Sequence, residues 1–262
     1  MSDPVLLAID AGNTNTEFAL YDGDAQLGRW RAATESARTS DQYAGLMAQL
    51  MTLDNVDSSR IGAAIICSVV PECVFHLRAL CRDYYRCEPL IVDENTDLGI
   101  EISVDRPSAV GADRLANAVG AHGRYPGALI VIDFGTATTF DVVDEDGGYH
   151  GGVIAPGVNL SLEALHATAA QLPRVAVERP QRVIGTATIP AMQSGIYWGH
   201  VGLIEGLVAR IKEEYERPMT VIATGGLAPL FRTATLVIEH TDADLTMRGL
   251  VEIYRRSQRK SA

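Results

Sequence analysis

One local pattern occurs twice in this chain, and no other feature constrains its fold as strongly. Val5-Leu-Leu-Ala-Ile9 is a short apolar run ending at Asp10, and Ala128-Leu-Ile-Val-Ile132 is another ending at Asp133. Each reads as a buried strand. A turn follows each: Ala11-Gly12-Asn13-Thr14-Asn15 after the first, Gly135-Thr136-Ala137-Thr138 after the second. Then comes a second strand (Thr16–Tyr21; Thr139–Val143), a hairpin turn (Asp22-Gly23-Asp24; Asp144-Glu-Asp-Gly-Gly148) and a third strand (Gln26–Arg31; Tyr149–Ile154). The copies start nearly half a chain apart. Repetition on that scale predicts an α/β protein of two similar halves, 1–112 and 113–262, facing a cleft.

The remaining periodicity fits that plan. Helical patterns cover Ser40–Met51, Pro71–Tyr84, Ala109–Ala121, the vicinity of Asn159–Thr168, Pro190–Tyr215 and Asp244–Arg255. Short apolar runs at Ile61–Ile66, Pro89–Val92 and Met219–Ala223 read as further strands. The Ala-rich helix Ala109–Ala121 links or borders the two halves.

Charge narrows the function. The chain has 22 Lys+Arg against 33 Asp+Glu, a formal net charge of −11. A field of that sign repels phosphate backbones and anionic membrane surfaces, so nucleic acid and membrane are not the expected partners. Lys212 and Lys260 are the only lysines, and neither follows a Gly-rich loop. A Walker-type phosphate loop is therefore absent. Any bound phosphate must be held by backbone N–H groups, hydroxyls, arginine or a metal. Cys67, Cys73, Cys81 and Cys87 lack zinc-site spacing and read as reduced thiols. Met1–Leu20 lacks the pattern of a secretory leader, and no apolar run is long enough to span a bilayer. The expected location is the cytoplasm.

The strand-end turns carry the candidate chemistry. Glycine after a strand lets the backbone approach a phosphate, and successive turn N–H groups form an anion nest that Asn13 and Thr14 extend. Asp10 suits that neighbourhood only if a cation bridges it to the phosphate, as Mg²⁺ does through water. Taken alone, Asp10 capping its own turn explains the motif equally well. Its repetition in Asp133-Phe-Gly-Thr-Ala-Thr-Thr139, with a third glycine turn at Gly225-Gly226, points to a nucleotide cleft. The separated turns do not form a dinucleotide-binding fingerprint. In Gly111-Ala-Asp113-Arg114, Arg114 suits a substrate carboxylate and Asp113 suits a proton acceptor. On that motif alone, a dipole-stabilising Asp113 and an exposed Arg114 have the greater weight.

These residues resemble the type III pantothenate kinase family, which includes proteins called Bvg accessory factors. The matching segments are Asp10–Thr16, Ser68-Val-Val-Pro71, Gly111–Arg114, Asp133–Thr139, Gly151–Gly157, Ala191–Gly195 and Thr224–Gly226. They occur in order and span nearly the whole chain. The resemblance implies an actin-like ATPase (ribonuclease H-like) fold and ATP-dependent phosphorylation of pantothenate to 4′-phosphopantothenate, the first step toward coenzyme A. It implies ATP phosphates held by Asp10, Ala11, Gly12, Asn13, Thr14, Asn15, Thr16 and Glu17, with Thr136 and Gly225 also at ATP. It implies Asp113 as the catalytic base, pantothenate bound by Gly111, Ala112, Asp113 and Arg114, and Thr188 reaching it from a homodimer partner. Asp133 would hold a monovalent cation, K⁺ or NH₄⁺, and Asp10 would hold Mg²⁺ through water.

Three positions depart from the family pattern. Val104 stands where many members carry a tyrosine that contacts pantothenate. Gly185-Thr186-Ala187-Thr188 lacks a lysine often found there. Glu17 adds a negative charge close to the proposed phosphate turn, although strand alternation would point it away from that turn. These departures keep two alternatives open, a non-catalytic accessory member and a kinase of another small hydroxy acid. Filament-forming or chaperone ATPases of the same superfold need insertions for which 262 residues leave no room.

Overall fold

The computed structural model describes residues 4–168, 173 and 175–261. The described residues form ten strands and seven α-helices. The strands are β1 (Val5–Ala11), β2 (Asn15–Asp22), β3 (Ala25–Ala33), β4 (Ile61–Ser68), β5 (Leu90–Ile91), β6 (Leu129–Phe134), β7 (Ala137–Val143), β8 (Tyr149–Pro156), β9 (Thr220–Gly225) and β10 (His240–Thr241). The helices are α1 (Ser40–Leu53), α2 (Pro71–Tyr84), α3 (Ala112–His122), α4 (Val158–Thr168), α5 (Thr188–Tyr215), α6 (Ala228–Arg232) and α7 (Leu245–Ser261). No helix among them is long and apolar enough to cross a membrane.

Two compact units result. One comprises Met1–Gly123 together with Leu245–Ala262, the other Arg124–Asp244. Their sheets have the same order, β3-β2-β1-β4-β5 and β8-β7-β6-β9-β10. In each, the first three strands pair antiparallel and the last two run parallel to the first. The duplication read from the sequence is therefore a duplication of topology.

In the first unit β1 is buried on both faces, which is why it reads as a continuous apolar run. Val5, Leu7, Ile9 and Ala11 pack with Met47 and Met51 of α1 and Leu77 and Leu80 of α2. Leu6 and Ala8 are buried on the opposite face, where α7 crosses β1. A capping box starts α1: the Gln42 N–H donates to Thr39 Oγ1 and the Thr39 N–H to Gln42 Oε1 (2.9 Å). Such a cap contributes about 1 kcal/mol. Pro71 starts α2, where a missing N–H costs nothing.

The C-terminal helix returns to the first unit. Thr246 Oγ1 donates to the buried Asn117 Oδ1 of α3 at 2.7 Å. A Cβ built on Gly249 would lie 1.9 Å from the Ala116 carbonyl oxygen, so α3 and α7 touch backbone to backbone. This packing moves the division from the expected 112/113 to 123/124 and carries residues 245–262 across it.

In the second unit Ile130, Ile132 and Phe134 of β6 pack against Ile204 and Val208 of α5 and Phe231 of α6. The Phe134 and Phe231 rings stack at 5.1 Å. On the other face Asp141 is fully buried and accepts from Tyr149 OH (2.8 Å) and Thr139 Oγ1 (2.9 Å). The four cysteines are buried and unpaired, as expected of reduced thiols. The two-residue strand β10 was not legible in the apolar pattern.

Candidate active site

The C-terminal ends of β1 and β4 place the candidate groups of the first unit. Asp10 is the register partner of Glu17 on β2 and of Cys67 on β4, so these three share one face of the sheet. It is the face opposite Ile9 and Ala11, which belong to the core. The turn that follows closes on itself, with the Gly12 N–H donating to the Asn15 carbonyl at 3.0 Å. Asn13, Thr14 and Asn15 are exposed, while Ala11 and Thr16 at its flanks are buried.

Glu17 lies on the same face of the sheet as Asp10. Antiparallel partners lie on the same side, which overrides the simple alternation argument. Its charge is offset by two arginines of β3. Arg29 donates through Nη2 (2.5 Å) and Nε (3.1 Å), and Arg31 donates through Nε (2.7 Å). The carboxylate expected at ATP is thus held in a cross-strand ion-pair network.

Asp113 lies in the first turn of α3, which starts at Gly111 without a side-chain cap. Its Oδ1 accepts the Arg114 N–H at 2.8 Å. Burial raises its pKa above the ordinary aspartate value, while the Arg114 N–H and guanidinium pull the other way. A half-buried carboxylate that holds a proton more tightly than usual suits a proton acceptor.

Cys67 joins the two aspartates. Its thiol is fully buried and its pKa is pushed well up, first by burial, then by the negative charges of Asp10 and Asp113. Both carboxylates therefore act on this thiol through their charge, and Asp10 is its register partner. No sequence motif marks Cys67; its role follows only from the register of β1 and β4.

Beside this cluster is a cavity of about 770 Å³ within the first unit. Gly111 and Ala112 line it, as do Ser68 and Val69. Its apolar wall includes Ile91, Val92, Leu98, Ile102 and Val110. That wall runs from the strand expected at Pro89–Val92 to the start of the helix expected from Ala109, with Leu98 and Ile102 in the stretch between.

The second unit holds the other candidates. Asp133, near the end of β6, is the register partner of Thr139 and of Thr224 on β9. Gly225 adopts φ +88°, and a Cβ there would lie 2.8 Å from Asp133 Oδ1 and 2.6 Å from the Phe134 carbonyl. Only glycine leaves that space beside the carboxylate. Thr136 is exposed in the turn between β6 and β7, where the Gly135 N–H donates to the Ala137 carbonyl at 3.0 Å. Thr188 is the exposed first residue of α5. Among the described residues no three His, Cys, Asp or Glu side chains gather to hold a metal ion.

Comparison with known proteins places this geometry in context. A family model for type III pantothenate kinase matches residues 6–210. The protein of Paramagnetospirillum magneticum called type III pantothenate kinase is 65% identical over 97% of this chain and 98% of its own length. The Rhodospirillum rubrum protein of the same name is 65% identical over 97% of this chain and 99% of its own length. A solved Sinorhizobium meliloti structure, described as a 2-dehydro-3-deoxygalactonokinase, superposes with a TM-score of 0.60 at 15% identity over 96% of both chains. At that identity the likeness concerns the fold alone, which is that of the actin-like ATPases.

Proposed function

The chain belongs to the type III pantothenate kinase family and phosphorylates pantothenate in coenzyme A biosynthesis, and we propose that Asp113 is its catalytic base. The observation that carries this assignment is the placement of the half-buried Asp113 in the first turn of α3, where Gly111 and Ala112 line the 770 Å³ cavity. The substrates are ATP and pantothenate, and the family uses a divalent metal with ATP.

In this reading pantothenate occupies the cavity with its dimethyl carbon against the apolar wall and its carboxylate at Arg114. Its primary hydroxyl attacks the γ-phosphorus, the bond from the γ-phosphorus to the β,γ-bridging oxygen breaks, and the hydroxyl proton passes to Asp113. The products are 4′-phosphopantothenate and ADP. The transition state is loose, so the proton leaves late and positioning supplies most of the rate. A carboxylate is then a sufficient base.

In the first unit the backbone N–H groups of the Gly12–Asn15 turn are the proposed phosphate contacts; in the second unit Thr136 and Gly225 are proposed nucleotide contacts. The carboxylate of Asp10 beside the Gly12–Asn15 turn fits a hard divalent cation held through water and by phosphate oxygens. Bound Mg²⁺ would neutralise phosphate charge that this lysine-poor chain cannot. The cradle between Asp133 and Gly225, which a Cβ would fill, fits a monovalent cation, K⁺ or NH₄⁺. We assign the working form as a cytoplasmic homodimer in which Thr188 reaches the partner's pantothenate. Exposed Val183 (63%), Ile184 (78%) and Ile189 (46%) around Gly185–Thr188 support that interface.

A coupled ADP-release assay with ATP, Mg²⁺ and K⁺, with and without pantothenate, tests the assignment. Turnover that requires pantothenate and is lost in Asp113→Asn is expected. Full turnover in folded Asp113→Asn would remove Asp113 from the role of base.

A further inference from the structure

One residue outside the turn after β1 holds two of its carbonyls. Thr34 directly follows β3, whose last residue Ala33 pairs with Asn15. Its N–H donates to the Thr14 carbonyl at 3.0 Å. Its Oγ1 donates to the Gly12 carbonyl at 2.7 Å. The same hydroxyl lies 2.9 Å from Oγ1 of the buried Thr16. No local sequence signal marks Thr34, because only strand pairing brings it here.

The consequence follows from peptide geometry. In a trans peptide the C=O and the next residue's N–H point in opposite directions, and the described chain has no cis peptide bond. The Gly12 carbonyl shares a plane with the Asn13 N–H, and the Thr14 carbonyl with the Asn15 N–H. Drawing both carbonyls toward Thr34 turns both N–H groups away from it. A turn recruits an anion only when its carbonyls face elsewhere. Without the Thr34 hydroxyl the Gly12 carbonyl loses that side-chain anchor, and its oxygen can rotate toward the phosphates.

We propose that Thr34 is a positioning residue for nucleotide binding: its side-chain hydroxyl fixes the Gly12 peptide so that the turn presents N–H groups, not carbonyls, to ATP phosphates. This rests on the reading that the turn holds those phosphates. Thr34 itself does not touch the nucleotide.

The test separates the two statements. Thr34→Val keeps shape and backbone N–H but removes the hydroxyl. We expect KM for ATP to rise about fivefold to tenfold, the loss of one hydrogen bond's worth of binding. The expected kcat and KM for pantothenate stay within about twofold, and Thr34→Ser restores KM for ATP. Thr34→Ala serves in place of the valine variant if that one does not fold. A general loss of packing would instead lower kcat or raise both KM values, and Ser would not rescue it. In parallel, amide resonances of Asn13 and Asn15 are followed in the wild-type protein as ATP with Mg²⁺ is added. Resonances that shift, combined with unchanged KM for ATP in the hydroxyl-free variants, overturn the role of Thr34 alone. Resonances that stay fixed at saturation overturn the phosphate reading of the turn, and the proposal with it.

Discussion

Asp10 on β1 and Cys67 on β4 are register partners in the parallel pairing of the first sheet, and both lie on the face opposite the core residues Ile9 and Ala11. In the second sheet Thr224 occupies the same place beside Asp133. Each unit thus sets a small residue with a donor group next to its strand-end aspartate. Cys67→Ser, which keeps a donor group beside Asp10, is expected to hold kcat/KM within about twofold, whereas Cys67→Val, which leaves no donor there, lowers it about fivefold to tenfold. Steady-state kinetics distinguish these outcomes; equal activity in both variants would reduce Cys67 to a packing residue. The same burial predicts that a thiol reagent reaches Cys67 only after unfolding.

Local signals carried most of the fold and part of the candidate site. The apolar runs ending at Asp10 and Asp133 were readable because both faces of β1 and β6 are covered, and the glycine turns because turn chemistry is local. Thr34, Cys67 and Arg29 were not readable, since each meets its partner through strand register. Glu17 shows the same limit from the other side: alternation along its own strand does not fix which face it takes, and pairing with Asp10 does. The return of α7 to α3 joins Thr246 to Asn117 across 129 residues, and no window of sequence contains both.

That contact between helices predicts a stability effect remote from catalysis. Gly249→Ala places a Cβ 1.9 Å from the Ala116 carbonyl oxygen, so α3 and α7 must separate. The expected cost is about 1–3 kcal/mol, a fall in Tm of roughly 3–10 °C. Thermal unfolding followed by circular dichroism measures it. An unchanged Tm would mean that the helices slide apart freely, contrary to the burial of Leu245, Leu250 and Ile253.

Gly225 provides a test of the second unit. At φ +88° an alanine is strained, and its Cβ would crowd Asp133 Oδ1 and the Phe134 carbonyl. Strain of this kind costs on the order of 1–3 kcal/mol. Gly225→Ala is therefore expected to lose some stability and to need a higher K⁺ concentration for half-maximal rate. Asp133→Asn is expected to lose most of the response to K⁺. Titrating K⁺ at saturating ATP and pantothenate reads both, and an unaltered K⁺ response in both variants would detach Asp133 from the cation.

The clearest pH signature belongs to Asp113. To accept a proton it must be ionised, and burial raises its pKa above the ordinary aspartate value. The acidic limb of kcat/KM is thus expected above that value, with activity falling as pH drops through it. The stability effect has the opposite sense. Because the folded-state pKa is raised, Asp113 contributes stability below its unfolded pKa that is lost as pH rises through the folded one. Asp113→Asn cannot ionise, so at neutral pH its Tm should equal or exceed that of the wild type while kcat falls about 10²–10⁴-fold. Arg114→Gln removes the guanidinium that holds the Asp113 pKa down, which moves the acidic limb to higher pH and raises KM for pantothenate. A pH profile of this variant with an unshifted limb would show that Arg114 does not act on the base, leaving substrate binding as its only role.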